Sequence, residues 1–274
     1  MSSTTSISCK KLNRLIGTPN CPVLIDVRDD EDFNAYPHLI PGSFRRDFTQ
    51  AADWAKDYAG QSVVAICQRG LKLSEGAAAW LRHEDAKAEA LEGGVEAWVT
   101  MGNPMIPVAK MPVRDPQGRT VWVTRARPKI DRIACPWLIR RFVDPSAVFL
   151  FVAPSEVEGV AARFDATPFD VEGVFWGHRG DKCTFDTLIE ELGLQSEPLV
   201  RLASIVRGAD TGRHDLAPEA AGLLAASLGL SRMYTDDLEQ LDAGMGLFDA
   251  FYRWCRDATR ETHDWHSAAP RPAP

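Results

Sequence analysis

Val63, Val64, Ala65 and Ile66 form an unbroken apolar run that stops at Cys67, and Gln68, Arg69, Gly70, Leu71 and Lys72 follow before a helical pattern begins. An apolar run of this length reads as a strand buried on both faces, and such strands belong in parallel sheets. A strand that passes through a short loop into a helix aims backbone N–H groups, and the positive end of the helix dipole, at the centre of the loop. Here that centre is a thiol. Arg69 and Lys72 add positive charge, and surroundings of this kind favour the thiolate, the nucleophilic form of a cysteine. Cys67 is therefore a candidate catalytic nucleophile. The plainer alternative is a small buried residue that closes a strand.

The segments around this loop repeat its logic. PVLIDV, an acidic helix start, SVVAIC, LSEGAAAWLRH and KAEALEG alternate strand-like and helix-like stretches between residues 8 and 107. That alternation predicts an α/β fold with a small parallel sheet, helices on both faces and the active loop at the carboxyl ends of the strands. A chain of 274 residues, 45% hydrophobic and 25% charged, has room for a second core. The reading is a first domain over 1–107, a linker over 108–118 where VAKMPVRDPQG loses periodicity, a largely helical α/β domain over 119–266 and a disordered tail over 267–274.

Net charge of −7 and a pI near 5.4 argue against non-specific nucleic-acid binding, and no zinc-finger spacing is present. The first residues lack the apolar core of a signal peptide, and the apolar run Val148 to Ala153 is far too short to span a bilayer. The expectation is a cytoplasmic protein with no nucleic-acid or membrane partner. Cysteines at 9, 21, 67, 135, 183 and 255 include no Cys-x-x-Cys pair, which reads as reduced thiols without a disulfide framework.

Two further motifs bear on the first domain. LEGGVEAWVTMGNPM, Leu91 to Met105, and LIDVRDDEDFNAYPHLIPGSF, which holds Asp26, Arg28, His38 and Ile40-Pro41-Gly42, stand on either side of the Cys67 loop. Together the three resemble the rhodanese family of sulfurtransferases, over about residues 8 to 107. The resemblance implies a persulfide on Cys67 and a substrate cradle of Gln68, Arg69, Gly70, Leu71 and Lys72. It also implies a small-molecule sulfur donor such as thiosulfate, an acceptor, and no cofactor. Asp26 and Arg28 fall at the same edge and are candidate substrate contacts; a structural ion pair or turn cap is the alternative. Trp98 reads as a core anchor of the last helix. This chain departs from the family at Lys72, where Arg is usual, and at Leu39, an extra residue inside His-Ile-Pro-Gly. The six-residue spacing from Cys67 to Lys72 suits sulfurtransferases rather than phosphatases of the same fold, whose loop is longer and ends in Arg.

The second region opens with TVWVT and then concentrates Arg119, Arg125, Arg127, Lys129, Arg132, Arg140 and Arg141 against one acid, Asp131. Arg125, Lys129 and Arg132, with Arg179, are candidate oxyanion ligands. The alternative is a charged face balanced by acids elsewhere in the fold. His178 and Cys183 lie in a polar loop before an amphipathic helix that Thr184 is expected to cap. His178, Asp210 and His214 are candidate ligands of zinc or iron, with Cys183 a further ligand or a redox thiol. The stripe Leu238, Leu241, Met245, Phe248, Phe251 and Trp254 is core or interface.

WVTRARPKIDRIACPWLIRRFVD, HRGDKCTFDTLIEELGL and RGADTGRHDLAPEAAGLLAASLGLSRMY resemble the carboxyl-terminal domain of chromate-resistance proteins of the ChrB type, from residue 122 to about 265. That resemblance implies tolerance of chromate, by sensing or detoxification, with chromate or a sulfate-like oxyanion as ligand. Chromate resembles sulfate and is reduced by thiols, so one expectation is a sulfurtransferase whose persulfide acts near a bound oxyanion. The other is a non-catalytic chromate sensor with a redox-responsive thiol. Lys72→Arg is expected to raise kcat/KM for thiosulfate, since two parallel N–H donors replace a point charge and a charge-assisted bond contributes roughly 1.5–3 kcal/mol. Steady-state transfer kinetics check it. An unchanged value would show that Lys72 points away from the donor.

Overall fold

The computed structural model describes residues 5–261; the expected tail and the last residues of the second domain lie outside them. The first domain runs β1 (Ser6–Ile7), α1 (Cys9–Leu15), β2 (Val23–Asp26), α2 (Asp30–Ala35), β3 (His38–Leu39), β4 (Ser43–Arg45), α3 (Ala51–Trp54), β5 (Ser62–Ile66), α4 (Lys72–His83), β6 (Lys87–Leu91), α5 (Gly94–Thr100) and β7 (Ile106–Pro107). Its main sheet has the order β1-β6-β5-β2-β4 and every pairing in it is parallel. Successive side chains of a strand face opposite sides, and here both sides are dry. Ile25, Val63, Ala65 and Cys67 pack with Trp54 of α3 and Ala77, Ala78 and Leu81 of α4. Leu24, Val64 and Ile66 pack with Leu12, Val95 and Trp98 of α1 and α5.

The second domain continues with β8 (Val121–Arg125), α6 (Asp131–Leu138), β9 (Val148–Val152), α7 (Val157–Phe164), β10 (Thr167–Pro168), α8 (Thr184–Glu191), α9 (Glu197–Asp210), α10 (Ala220–Met233) and α11 (Asp237–Arg253). A three-stranded parallel sheet, order β10-β8-β9, is covered on one face by α7, where Val157 meets Val123. Trp122 looks the other way, into a core with Trp137, Phe185 and Phe248. The α/β expectation holds in both halves, with the second largely helical. Thr184 is the first residue of α8 and not its cap. Cys183 takes that place: its backbone N–H donates to Asp186 Oδ2 at 3.1 Å, which fixes the turn into the helix.

The two domains share one core. Leu12, Ile16 and Trp98 belong to the same apolar cluster as Phe142, Phe248 and Tyr252. Gly17, at φ 78°, is the point of closest approach: a Cβ there would lie 2.3 Å from Phe142 Cζ and 2.9 Å from Tyr252 Cε1. Gly42 N–H donates to the Phe142 carbonyl at 2.5 Å, and Arg256 reaches the Arg14 carbonyl at 3.0 Å. Residues 108–118 are held down as well. Lys110 pairs with Glu191 at 2.7 Å, Arg114 with Asp144 at 3.3 Å, and Arg114 bridges to Thr120 in the backbone. All six cysteines are free thiols, and among the described residues no helix is long and apolar enough to cross a membrane. Gly17→Ala forces a methyl into a filled space and is expected to cost about 1–3 kcal/mol. A denaturant series should show circular dichroism and tryptophan fluorescence moving together to a lower midpoint. Two separate transitions would show that the halves unfold independently.

Candidate functional site

Cys67 directly follows β5 and is 4% exposed. Its Sγ lies 3.2 Å from Ser74 Oγ, and Ser74 donates in turn to the Leu71 carbonyl at 3.1 Å. The loop is clamped to the start of α5, because the Cys67 and Gln68 carbonyls accept the Val95 and Glu96 amides, each at 3.0 Å. This contact explains why the sequence carries glycine on both sides. A Cβ on Gly94 would meet the Cys67 carbonyl oxygen at 2.2 Å and the Gly70 nitrogen at 2.6 Å, and one on Gly70 would meet the Leu91 carbonyl oxygen at 2.3 Å. Backbone touches backbone there, so no side chain fits. No side chain caps α4 at Leu71, which leaves the amides of its first turn facing the loop. Arg69 and Lys72 stand exposed at the rim, and Arg69 Nε lies 3.3 Å from Glu96 Oε1. Gln68 is half-buried and its Nε2 donates to the same oxygen at 3.4 Å, while Leu71 is exposed.

Asp26 and Arg28 form a buried ion pair, the alternative reading of these two residues. Arg28 Nη2 lies 2.6 Å from Asp26 Oδ2, and both residues are 1% exposed. The remaining guanidinium donors reach the Tyr36 carbonyl at 3.2 Å and the His38 carbonyl at 2.6 Å. These bonds all stay inside the protein, so the pair fastens the end of β2 to the segment that follows α2. The extra residue Leu39 is buried in β3, opposite Ile106 of β7, where it helps close the first domain.

A second group of side chains converges at the carboxyl edge of the β10-β8-β9 sheet. Asp131 opens α6 and is fully buried; its Oδ2 accepts the Thr184 amide at 2.6 Å and its Oδ1 the Phe185 amide at 3.1 Å, so it occupies the N-terminus of α8. Asp170, just past β10, accepts from Thr184 Oγ1 at 2.9 Å and pairs with Arg132 at 3.3 Å and Arg125 at 3.4 Å. His178 Nε2 then lies 3.3 Å from Asp170, 3.3 Å from Asp210 at the end of α9, and 3.6 Å from Asp131. Hydrogen bonds to Asp131, Asp170 and Asp210, in that order, push the His178 pKa up to about 12. Burial pushes Asp131 up to about 6 despite its hydrogen bond to His178.

Two expectations change here. His178 and Asp210 do come together, but His214 sits on the exposed turn His214–Leu216 and is not in the group; Asp131 and Asp170 complete it instead. Arginines of the basic stretch are paired with carboxylates. Arg125 and Arg132 are turned onto Asp170, Arg179 onto Glu191 at 2.5 Å, Arg140 onto Asp242 at 3.3 Å and Arg141 onto Asp249 at 2.7 Å. Lys129 stands exposed. Acids distant in sequence supply the neutralising charge. Cys183 is buried, its Sγ 3.4 Å from Asp186 Oδ2, and burial raises its pKa well above the ordinary thiol value. The hydrogen bonds of the Cys67 loop run to Ser74, Glu75, Val95 and Glu96, and its thiol packs on the α3–α4 side of the sheet.

Residues 8–101 match the rhodanese-like domain family, and residues 122–255 match the family described as ChrB, C-terminal domain. Protein ChrB of Cupriavidus metallidurans is 34% identical over 162 residues, 58% of this chain and 48% of that protein, so the match spans about half the relative's length. Solved structures similar to the first domain include a rhodanese-related protein from Thermoplasma volcanium, 20% identical with a TM-score of 0.33 over 37% of this chain and 97% of that one. A probable thiosulfate sulfurtransferase is 24% identical, with a TM-score of 0.31 over 36% of this chain and 46% of that one. The chain is thus similar to rhodanese-like domains over its first part and to the ChrB C-terminal domain over its second. Arg28→Met strands the buried Asp26 carboxylate and is expected to cost about 3–5 kcal/mol of stability. Chemical denaturation measures it. A variant as stable as the parent with a raised KM for its sulfur donor would return Arg28 to the substrate.

Proposed function

We propose that this protein is a sulfurtransferase that carries sulfane sulfur as a persulfide on Cys67, within a chromate-resistance function to which the second domain belongs. The observation that carries the reading is the cradle at the end of β5. A buried thiol follows a central parallel strand, its loop is clamped to α5 by backbone contact, and the uncapped first turn of α4 faces it. In such a cradle the Cys67 thiolate attacks the outer sulfur of a donor such as thiosulfate. A new S–S bond forms, the old one breaks, and sulfite leaves with the bonding electron pair. The N–H groups of the loop and of the α4 turn then stabilise the anionic persulfide. An acceptor thiolate or cyanide attacks the terminal sulfur and restores Cys67. Arg69 and Lys72, exposed at the rim, draw an anionic donor inward. The unpaired thiols suit a reducing compartment, which supports reading the protein as cytoplasmic.

The 4% exposure of Cys67 favours a second reading, in which the thiol responds to oxidants in a sensor and turns over no sulfur. One measurement separates the two. Thiosulfate treatment followed by intact-mass analysis should add one sulfur atom to the wild type and none to Cys67→Ser, and the sulfur should move to cyanide only in the wild type. A Cys67→Ser protein that still gains the mass removes the assignment, and a wild type that gains nothing supports the sensor.

A further inference from the structure

We infer that Asp131, Asp170, His178 and Asp210 form a binding site for one divalent first-row transition metal ion, independent of the chemistry at Cys67. Donor atoms of Asp131, Asp170 and His178 lie within 4.8 Å of one another. Two ligands each about 2.1 Å from one ion are at most about 4.2 Å apart, so small side-chain rotations close the shell. Asp210 Oδ2, at 3.3 Å from the same imidazole nitrogen, supplies a fourth ligand from another helix. His178 Nε2 carries at most one hydrogen, which cannot be shared well among three carboxylates. A cation in their midst serves all of them at once.

The surroundings hold these ligands as metal sites hold theirs. The Asp131 oxygens are oriented by the Thr184 and Phe185 amides, and Asp170 by Thr184 Oγ1 and two guanidinium groups. Ile130, which delivers Asp131 into α6, is held at φ 36°, where a β-branched residue is strained, and its N–H is secured by Ser227 Oγ at 2.9 Å. An independent sign is the fully buried Thr124 Oγ1, which has no hydrogen-bond partner. Alternation along β8 puts Thr124 on the face of Trp122, whose ring packs on Phe169 and Trp176, the immediate neighbours of Asp170 and Gly177-His178. Its side chain therefore lies on the face and at the strand end where the ligands gather. One imidazole with three carboxylates suits manganese, iron or zinc and is a poor set for copper(I). His178 is 44% exposed, which leaves a way in.

The test uses the full chain, freed of metal with a chelator and titrated with manganese(II) and with zinc(II), by calorimetry and, for manganese, electron paramagnetic resonance. One equivalent should bind. His178→Ala and Asp210→Ala should each weaken binding about tenfold or more, and His214→Ala should leave it unchanged. Asp131→Asn is avoided as the deciding variant because it also removes the charge at the α8 N-terminus; the two chosen positions are more exposed, and thermal melts verify their folding. Failure of the wild type to bind either ion saturably at millimolar concentration overturns the site, as does equal binding by a folded His178→Ala protein.

Discussion

Phe142 makes one body of two domains. Its ring fills the space that Gly17 leaves open, and its carbonyl accepts the Gly42 amide from the turn after β3. Around it, Tyr252 and Trp137 stack edge to face, and Leu12, Ile16 and Trp98 extend the same apolar cluster into the first domain. Burial of this kind is non-directional and stabilises in proportion to the area removed from water. The face of the first sheet under α1 and α5 belongs to this shared cluster and is as dry as the face under α3 and α4.

Buried charge is the other constraint, and the two domains handle it alike. An ionised side chain leaves water at a cost of several kcal/mol, so it persists only where donors or opposite charges surround it. Arg28 meets this requirement with Asp26 and two carbonyl oxygens. Asp131 meets it with the amides at the start of α8 and with His178. The first arrangement is one closed pair, whereas the second gathers three carboxylates around a single imidazole, with Arg125 and Arg132 on the far side of Asp170.

How far the sequence could be read depended on the range of the interactions. The strand–thiol–helix unit was legible because its signals are local: an apolar run, a cysteine, two glycine motifs and a helical period within a few turns of chain. In the second domain His178 and Asp210 stood out as chemically suggestive residues near helix ends. Asp170 was missed because β10 has only two residues, too few to register as a strand whose end positions an acid. Asp131 looked like a lone counter-charge among bases, since nothing local indicates that the α8 amides claim it. The bases themselves misled for the same reason. Asp242 and Asp249 lie more than a hundred residues from Arg140 and Arg141, with which they pair, and charge counting along the chain has no access to pairing at that distance.

Alternation on β5 has a mechanical side. Ile66 belongs to the apolar cluster that continues into the second domain, whereas Cys67, the next residue, belongs to the cluster beneath α3 and α4. The peptide between them is thus the seam between the two apolar clusters, and the loop it opens is clamped to α5 by its carbonyls. A substitution at Ile66 therefore alters packing in the shared core, whereas one at Cys67 alters only the cluster beneath α3 and α4.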